Sequence, residues 1–167
     1  MNAKTKSIAI GGMMTALALV LLLVASIAPG GRLVLTALSG VVGAVVIVRC
    51  GLGIGALSWI AVSLLGLLLL PTKGCVLLYA VFFGPYTLLK NRIERLNNRQ
   101  LEWVLKLAFC LVISAALFYL SSAVLGLFPA VLAQHIEFFL PAVAVAFVIY
   151  DIVFSKLIYA ILSRLPL

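Results

Sequence analysis

Long apolar runs, separated by short breaks that contain charges, glycine or proline, dominate the chain. A helix that crosses the roughly 30 Å hydrocarbon core of a bilayer needs about 20 consecutive apolar residues. Six runs approach or exceed this length, and they cover residues 8–28, 33–48, 52–70, 75–89, 103–127 and 138–162. The pattern predicts an all-α integral membrane protein, a bundle of six transmembrane helices that forms a single membrane domain over residues 1–167. The first run is longer than the core of a signal peptide, so we expect it to be a retained helix.

The composition excludes a protein that is surrounded by water. Of the 167 residues, 66% are hydrophobic and only 10% are charged, whereas soluble domains carry about 25% charged residues. Too few polar side chains are present to cover a soluble globule, which rules out a soluble enzyme, a disordered chain and a secreted disulfide scaffold. The three cysteines lie far apart in or beside apolar runs, where they are expected to pack as small hydrophobic residues.

The charges predict how the protein sits in the membrane. Twelve basic residues face four acidic ones, for a net charge of +8, and cytoplasmic loops are the ones that collect Lys and Arg. With a cytoplasmic N-terminus and six crossings, ten basic residues lie inside and only Arg32 and Lys73 lie outside. We therefore predict that both termini are cytoplasmic, that residues 90–102 form a cytoplasmic loop, and that the protein is a multi-pass component of the cell membrane. The basic residues do not cluster on a soluble surface, so nucleic acid is not an expected partner.

Motifs for chemistry are missing from the sequence. It contains no phosphate-binding G-x-x-x-x-G-K-[ST] loop, no H-E-x-x-H and no G-x-S-x-G, so it offers neither an ATP site nor a familiar hydrolase site. With one histidine and four carboxylates, we expect no enzyme activity, no metal site and no cofactor.

One ionisable residue lies deep in an apolar run. Asp151 is near the middle of the sixth run, where a charge costs at least about 2.5–3.5 kcal/mol unless it faces the interior of the bundle. One interpretation is that Asp151 lines a substrate cavity or forms a switch between helices. The other is that it makes a single interhelical hydrogen bond that fixes the packing. Lys156 lies on another face of the helix, and Ser155 is closer in angle. In the neighbouring polar stretch, Glu102 and Lys106 have the i, i+4 spacing of a helical ion pair.

Two further groups of residues are candidates for binding. Arg32 and Lys73 lie in short turns on the side that has few basic residues, and with His135 they could converge on one anionic solute; the alternative is that they anchor lipid headgroups. On the first helix, small residues recur every four positions, a spacing that lets helices approach closely in lipid. This spacing indicates either a docking face for another membrane subunit or internal packing, and the residues are Ser7, Gly11 and Thr15, with Gly12 and Ala16 one position over.

The chain resembles the substrate-binding S components of energy-coupling factor (ECF) vitamin transporters. The shared features are six helices in one short chain, cytoplasmic termini, a basic N-terminus and small residues on helix one, here either Gly12 and Ala16 or Ser7, Gly11 and Thr15. The resemblance implies capture of a small solute near the outer face. It also implies partners, namely a transmembrane subunit that contacts helix one and two cytoplasmic ATPases, which would explain the missing phosphate-binding loop. Two other classes stay open: a six-helix scaffold similar to MreD-like cell-shape proteins, which needs no cavity, and a stand-alone transporter or flippase that uses Asp151.

Overall fold

The protein is built from helices. A computed structural model describes residues 3–28, 30–94, 99–120 and 136–164; these are 94% helical and contain no strand, which confirms the all-α prediction. The helices are α1 (Ala3–Ile27), α2 (Arg32–Cys50), α3 (Leu52–Leu69), α4 (Lys73–Leu78), a π-helical segment (Tyr79–Phe83), α5 (Gly84–Ile93), α6 (Arg99–Leu120) and α7 (Ile136–Arg164).

Four of these helices are long and apolar enough to cross a membrane. They are Thr5–Ile27, Arg32–Cys50, Leu52–Leu69 and Val143–Ile161, counted among the described residues. Large apolar side chains point outward from them, for example Met13 on α1 and Leu68 on α3, each more than 70% exposed. This combination indicates a membrane-embedded protein. The predicted fourth span corresponds to α4, the π segment and α5, and the predicted fifth to α6, so a count of six crossings stays a prediction.

Helices α1, α2 and α3 pack against one another through small residues. Gly51 is the single residue between α2 and α3. It has φ 90°, a backbone conformation that residues other than glycine rarely adopt. At Gly55 on α3, an added Cβ would lie 2.2 Å from Ile47 Cγ1 of α2. Between α1 and α3, the hydroxyls of Thr15 and Ser58 share a hydrogen bond of 2.7 Å. Close backbone approach thus supplies much of the contact, as is usual for helices in lipid.

A π-helical turn lies between α4 and α5, next to Pro85. The Gly84 N–H bonds to Tyr79 O, five residues back, and Pro85 has no N–H to offer, so the carbonyl of Ala80 loses its usual helical partners. Trp59 of α3 replaces them by donating its indole N–H to Ala80 O over 3.1 Å. Gly84 makes room for this ring, because a Cβ there would lie 2.0 Å from Trp59 Cδ1.

The polar stretch around residues 90–102 is more helical than the sequence predicts. Helix α5 continues to Ile93 and α6 begins at Arg99, so most of the predicted loop 90–102 is helical. Residues 95–98 lie outside the described part of the chain. As a consequence, Lys90 and Glu102 belong to helices that pack together.

Candidate functional site

Helices α5, α6 and α7 meet in two layers that are one helical turn apart. In the first layer Tyr86, Cys110 and Phe147 are buried together; in the second, Lys90 and Lys106 both contact Asp151. On each helix the two layers are four residues apart, which places them on one face. The residue numbers rise along α5 and α7 and fall along α6, so α6 is antiparallel to the other two helices.

The second layer is an ionic cluster, made of Lys90, Lys106, Asp151, Glu94 and Glu102. Lys90 Nζ donates to Asp151 Oδ1 and to Ser155 Oγ at 2.8 Å, and it lies 3.0 Å from Glu94 Oε1. Lys106 Nζ lies 2.5 Å from Glu102 Oε1, 3.2 Å from Asp151 Oδ2 and 3.3 Å from Glu94 Oε1. Three of the chain's four carboxylates thus converge on two lysines.

The centre of the ionic cluster is removed from the surface. Lys106, Lys90 and Asp151 are 2%, 3% and 3% exposed, while the side chains of Glu94 and Glu102 are 45% and 27% exposed. Tyr86 donates its phenol O–H to Asp151 Oδ1. Buried charges are tolerated only when they are paired and hydrogen-bonded. Asp151 meets this condition on both of its oxygens.

Aromatic rings border the ionic cluster. Lys90 Nζ lies 5.5 Å from the ring centre of Phe154 and 5.9 Å from that of Tyr86, and Lys106 Nζ lies 5.9 Å from the ring of Trp103. At such distances the negative face of a ring attracts a cation. The rings therefore stabilise the two ammonium groups.

A cavity of about 460 Å³ opens beside the ionic cluster. Trp103 and Ile152 contribute apolar surface to its wall. Charged and polar side chains form the rest, namely Glu94, Glu102, Lys106, Asp151, Ser155 and Lys156. Its volume lies within the range of about 300–1,000 Å³ that is usual for small-molecule pockets. Among the residues that the structure describes, no group of His, Cys, Asp or Glu is placed to hold a metal ion.

The sequence singled out part of this arrangement. The ion pair between Glu102 and Lys106 is confirmed, at 2.5 Å, and Asp151 faces the interior of the helix bundle as its cost in lipid requires. Its lysine partners were missed, because both were counted as cytoplasmic charges. A usable signal was present: Tyr86, Lys90 and Glu94 recur every four residues and so share one helix face.

The residues predicted to bind an anion at the outer side do not line this cavity. Arg32 Nε donates to Ala28 O over 2.9 Å, and Lys73 Nζ donates to Leu67 O and, over 2.9 Å, to Leu70 O. Each side chain therefore binds carbonyls at the end of the preceding helix, a common role for basic residues. His135 lies outside the described residues. Anion binding by these side chains stays a prediction.

The small residues of α1 divide between two surfaces. Gly11 is buried, and a Cβ there would lie 2.7 Å from Ile54 Cγ2 of α3; Thr15 bonds to Ser58 of the same helix. Gly12 and Ala16 are exposed, and an added Cβ at Gly12 meets nothing within 4 Å. Gly11 and Thr15 thus serve internal packing, and only Gly12 and Ala16 lie on an outward face. Ser7 is partly buried.

Comparison of the chain with protein-family models, with curated proteins and with solved structures gave no match. The ionic cluster and its cavity are therefore the features of the molecule from which a function can be inferred.

Proposed function

We propose that the protein is a membrane-embedded subunit that binds a small charged solute and delivers it with the help of an ATP-driven partner, in the manner of an ECF S component. The observation that carries this proposal is the charged cavity beside Asp151. It supports a solute-binding role over a six-helix scaffold, which has no use for a polar cavity between its helices. We place the solute there, and not at Arg32 and Lys73, because those side chains bind helix-end carbonyls. With six crossings the cavity lies toward the cytoplasmic end of the bundle, so this placement departs from the capture near the outer face that the resemblance implies.

Energy for uptake has to come from another chain in this proposal. The sequence has no phosphate-binding loop, so hydrolysis of ATP belongs to cytoplasmic partners that act through a second transmembrane subunit. The outward face of α1 with Gly12 and Ala16 is the surface we assign to that subunit, since small exposed residues let another helix come close.

The proposal includes six crossings with both termini in the cytoplasm. The antiparallel order of α5, α6 and α7 and the ten-to-two distribution of basic residues support this arrangement. In a variant without native cysteines, a cysteine at Gly30 should react with an impermeant reagent added outside whole cells, whereas one at Asn2 or Asn97 should not. Labelling of Asn97 from outside would contradict six crossings.

Transport assays distinguish this function from the second candidate, a stand-alone transporter that uses Asp151. The buried ionic cluster is the observation that supports the stand-alone transporter, because intramembrane charges often mark ion or proton paths. If the protein is a binding subunit, the purified chain in liposomes should bind solute but not accumulate it, and uptake in cells should require the ATP-driven partner. Accumulation by the chain alone would establish the stand-alone transporter instead.

A further inference from the structure

Helices α6 and α7 supply most of the cavity wall. The residues from α6 are Glu102, Trp103 and Lys106, and those from α7 are Asp151, Ile152, Ser155 and Lys156. The cavity therefore lies between these two helices. Three of the α7 residues, Ile152, Ser155 and Lys156, are also exposed on the outside of the bundle, so the cavity opens at the surface of the protein along α7.

One end of this opening lies at membrane depth. The segment Val143–Ile161 is long and apolar enough to cross a membrane, and Ile152 is its middle residue. At the rise of an α-helix, Ile152 lies about 13 Å from either end of the segment, whereas the hydrocarbon core is about 30 Å thick. A side chain that is 45% exposed at this depth faces lipid and not water. The cavity is therefore open to the bilayer beside Ile152.

The other end of the cavity lies toward the cytoplasmic surface of the membrane. In the proposed arrangement of six crossings, α7 runs toward the cytoplasm, and Lys156 lies about 6 Å beyond Ile152 in that direction. Glu102 and Trp103 lie where the predicted fifth span begins, and tryptophan is enriched at the level of lipid headgroups. The opening thus has a charged end at headgroup level and an apolar end in the hydrocarbon core.

The charges around the cavity balance. Three ammonium groups face three carboxylates, and these are Lys90, Lys106 and Lys156 with Asp151, Glu94 and Glu102. A bound group with a net charge of either sign would leave one charge uncompensated, which is costly away from water. The balance therefore favours a ligand whose polar part carries charges of both signs and no net charge.

We infer that the cavity binds a membrane lipid with a zwitterionic headgroup, which enters from the bilayer between α6 and α7. The headgroup occupies the charged end. The acyl chain lies along Ile152 and along Val145, which is seven residues away on the same face of α7 and is 61% exposed. This inference rests on the proposed function and names the class of solute, an amphiphile that reaches the protein through the membrane.

Two probes with the same headgroup test whether the acyl chain is needed. Lysophosphatidylethanolamine has one chain, and glycerophosphoethanolamine has none. Each is added at equal concentration to the full-length chain after detergent exchange has removed bound lipid, and native mass spectrometry counts the molecules that are retained. We expect the lysolipid to bind roughly 50-fold more tightly or better, because each buried methylene adds about fourfold in affinity.

A pair of variants separates the cavity from the general apolar surface of the helices. Ile152→Trp fills the cavity and should remove one tightly bound lysolipid. Val153→Trp adds the same bulk outside the described cavity wall and should retain it. Thermal unfolding shows whether both variants are folded.

The remaining outcomes would overturn the inference in distinguishable ways. Equal binding of both probes, lost in Ile152→Trp, would exclude the lipid and leave a water-soluble solute in the cavity, as the proposed function alone requires. Lysolipid binding that Ile152→Trp does not change would place the lipid elsewhere on the protein. Partner-dependent uptake in cells would then still decide the proposed function.

Discussion

Asp151 holds one negative charge between two buried ammonium groups, and the three side chains depend on one another. Lys90 engages Oδ1 and Lys106 engages Oδ2, while Tyr86 adds a phenol donor. Loss of one partner from a buried ion pair leaves an uncompensated charge, which is more costly than the absence of the whole pair. Asp151 therefore links α7 to both α5 and α6 through charged hydrogen bonds.

Replacing Asp151 by Asn should strongly destabilise the protein. Two lysines that are 2–3% exposed would lose the charge they share, at a cost of about 3 kcal/mol or more. Glu94→Gln is the matched control, since it also removes a carboxylate that contacts both lysines, but from a side chain that is 45% exposed; its cost should be about 1 kcal/mol or less. Denaturant unfolding in detergent measures both variants, and equal losses would contradict the assigned burial.

At the scale of the helices, the π-helical turn and Trp59 form one unit. The turn leaves the carbonyl of Ala80 without a helical partner, the indole of Trp59 supplies one, and Gly84 gives the ring its space. This unit fixes α3 against the helix that carries Lys90 into the ionic cluster. A mispositioned α5 would move Lys90 away from Asp151.

Substitution of Gly84 by Ala should break this unit. The new Cβ would lie 2.0 Å from Trp59 Cδ1, and such overpacking costs about 1–3 kcal/mol. Gly74→Ala, in the same helical stretch, adds a methyl group that meets nothing within 4 Å and should be neutral or slightly stabilising. Thermal unfolding compares the two; a Gly84→Ala protein as stable as Gly74→Ala would contradict the close contact with Trp59.

Substitutions at two adjacent glycines of α1 test internal packing and subunit docking separately. Gly11→Leu must displace Ile54, since a Cβ at Gly11 already lies 2.7 Å from its Cγ2, so we expect loss of stability. A Cβ added at Gly12 meets no neighbour within 4 Å, so Gly12→Leu should leave stability and solute binding unchanged while lowering partner-dependent uptake. Unfolding curves and cell uptake are measured for both variants. Normal uptake by Gly12→Leu would remove this face of α1 from the proposed subunit contact.

For the molecule as a whole, sequence patterns predict the helices better than they predict the ionic cluster and its cavity. Apolar runs as long as those of α1, α2 and α3 leave few alternatives to helices in lipid. Asp151 was recognisable because a charge at depth must be compensated. Its partners Lys90 and Lys106 could not be recognised, because they border a polar stretch whose composition indicates a cytoplasmic loop. In addition, spacing along one helix does not tell which helix lies opposite. The π turn was equally hidden, since it depends on Trp59, 21 residues from Ala80.

A solute bound in the cavity beside Asp151 would be retained by the purified protein, and native mass spectrometry detects such a ligand. Ile152 lines the cavity and is 45% exposed, whereas its neighbour Val153, 55% exposed, does not line it. Ile152→Trp should therefore fill the cavity, and Val153→Trp serves as the matched control with the same added bulk. After gentle extraction, we predict a co-purified small ligand on the unmodified chain and on Val153→Trp, and its loss from Ile152→Trp. A ligand retained equally by all three proteins, or absent from the unmodified chain, would contradict the account.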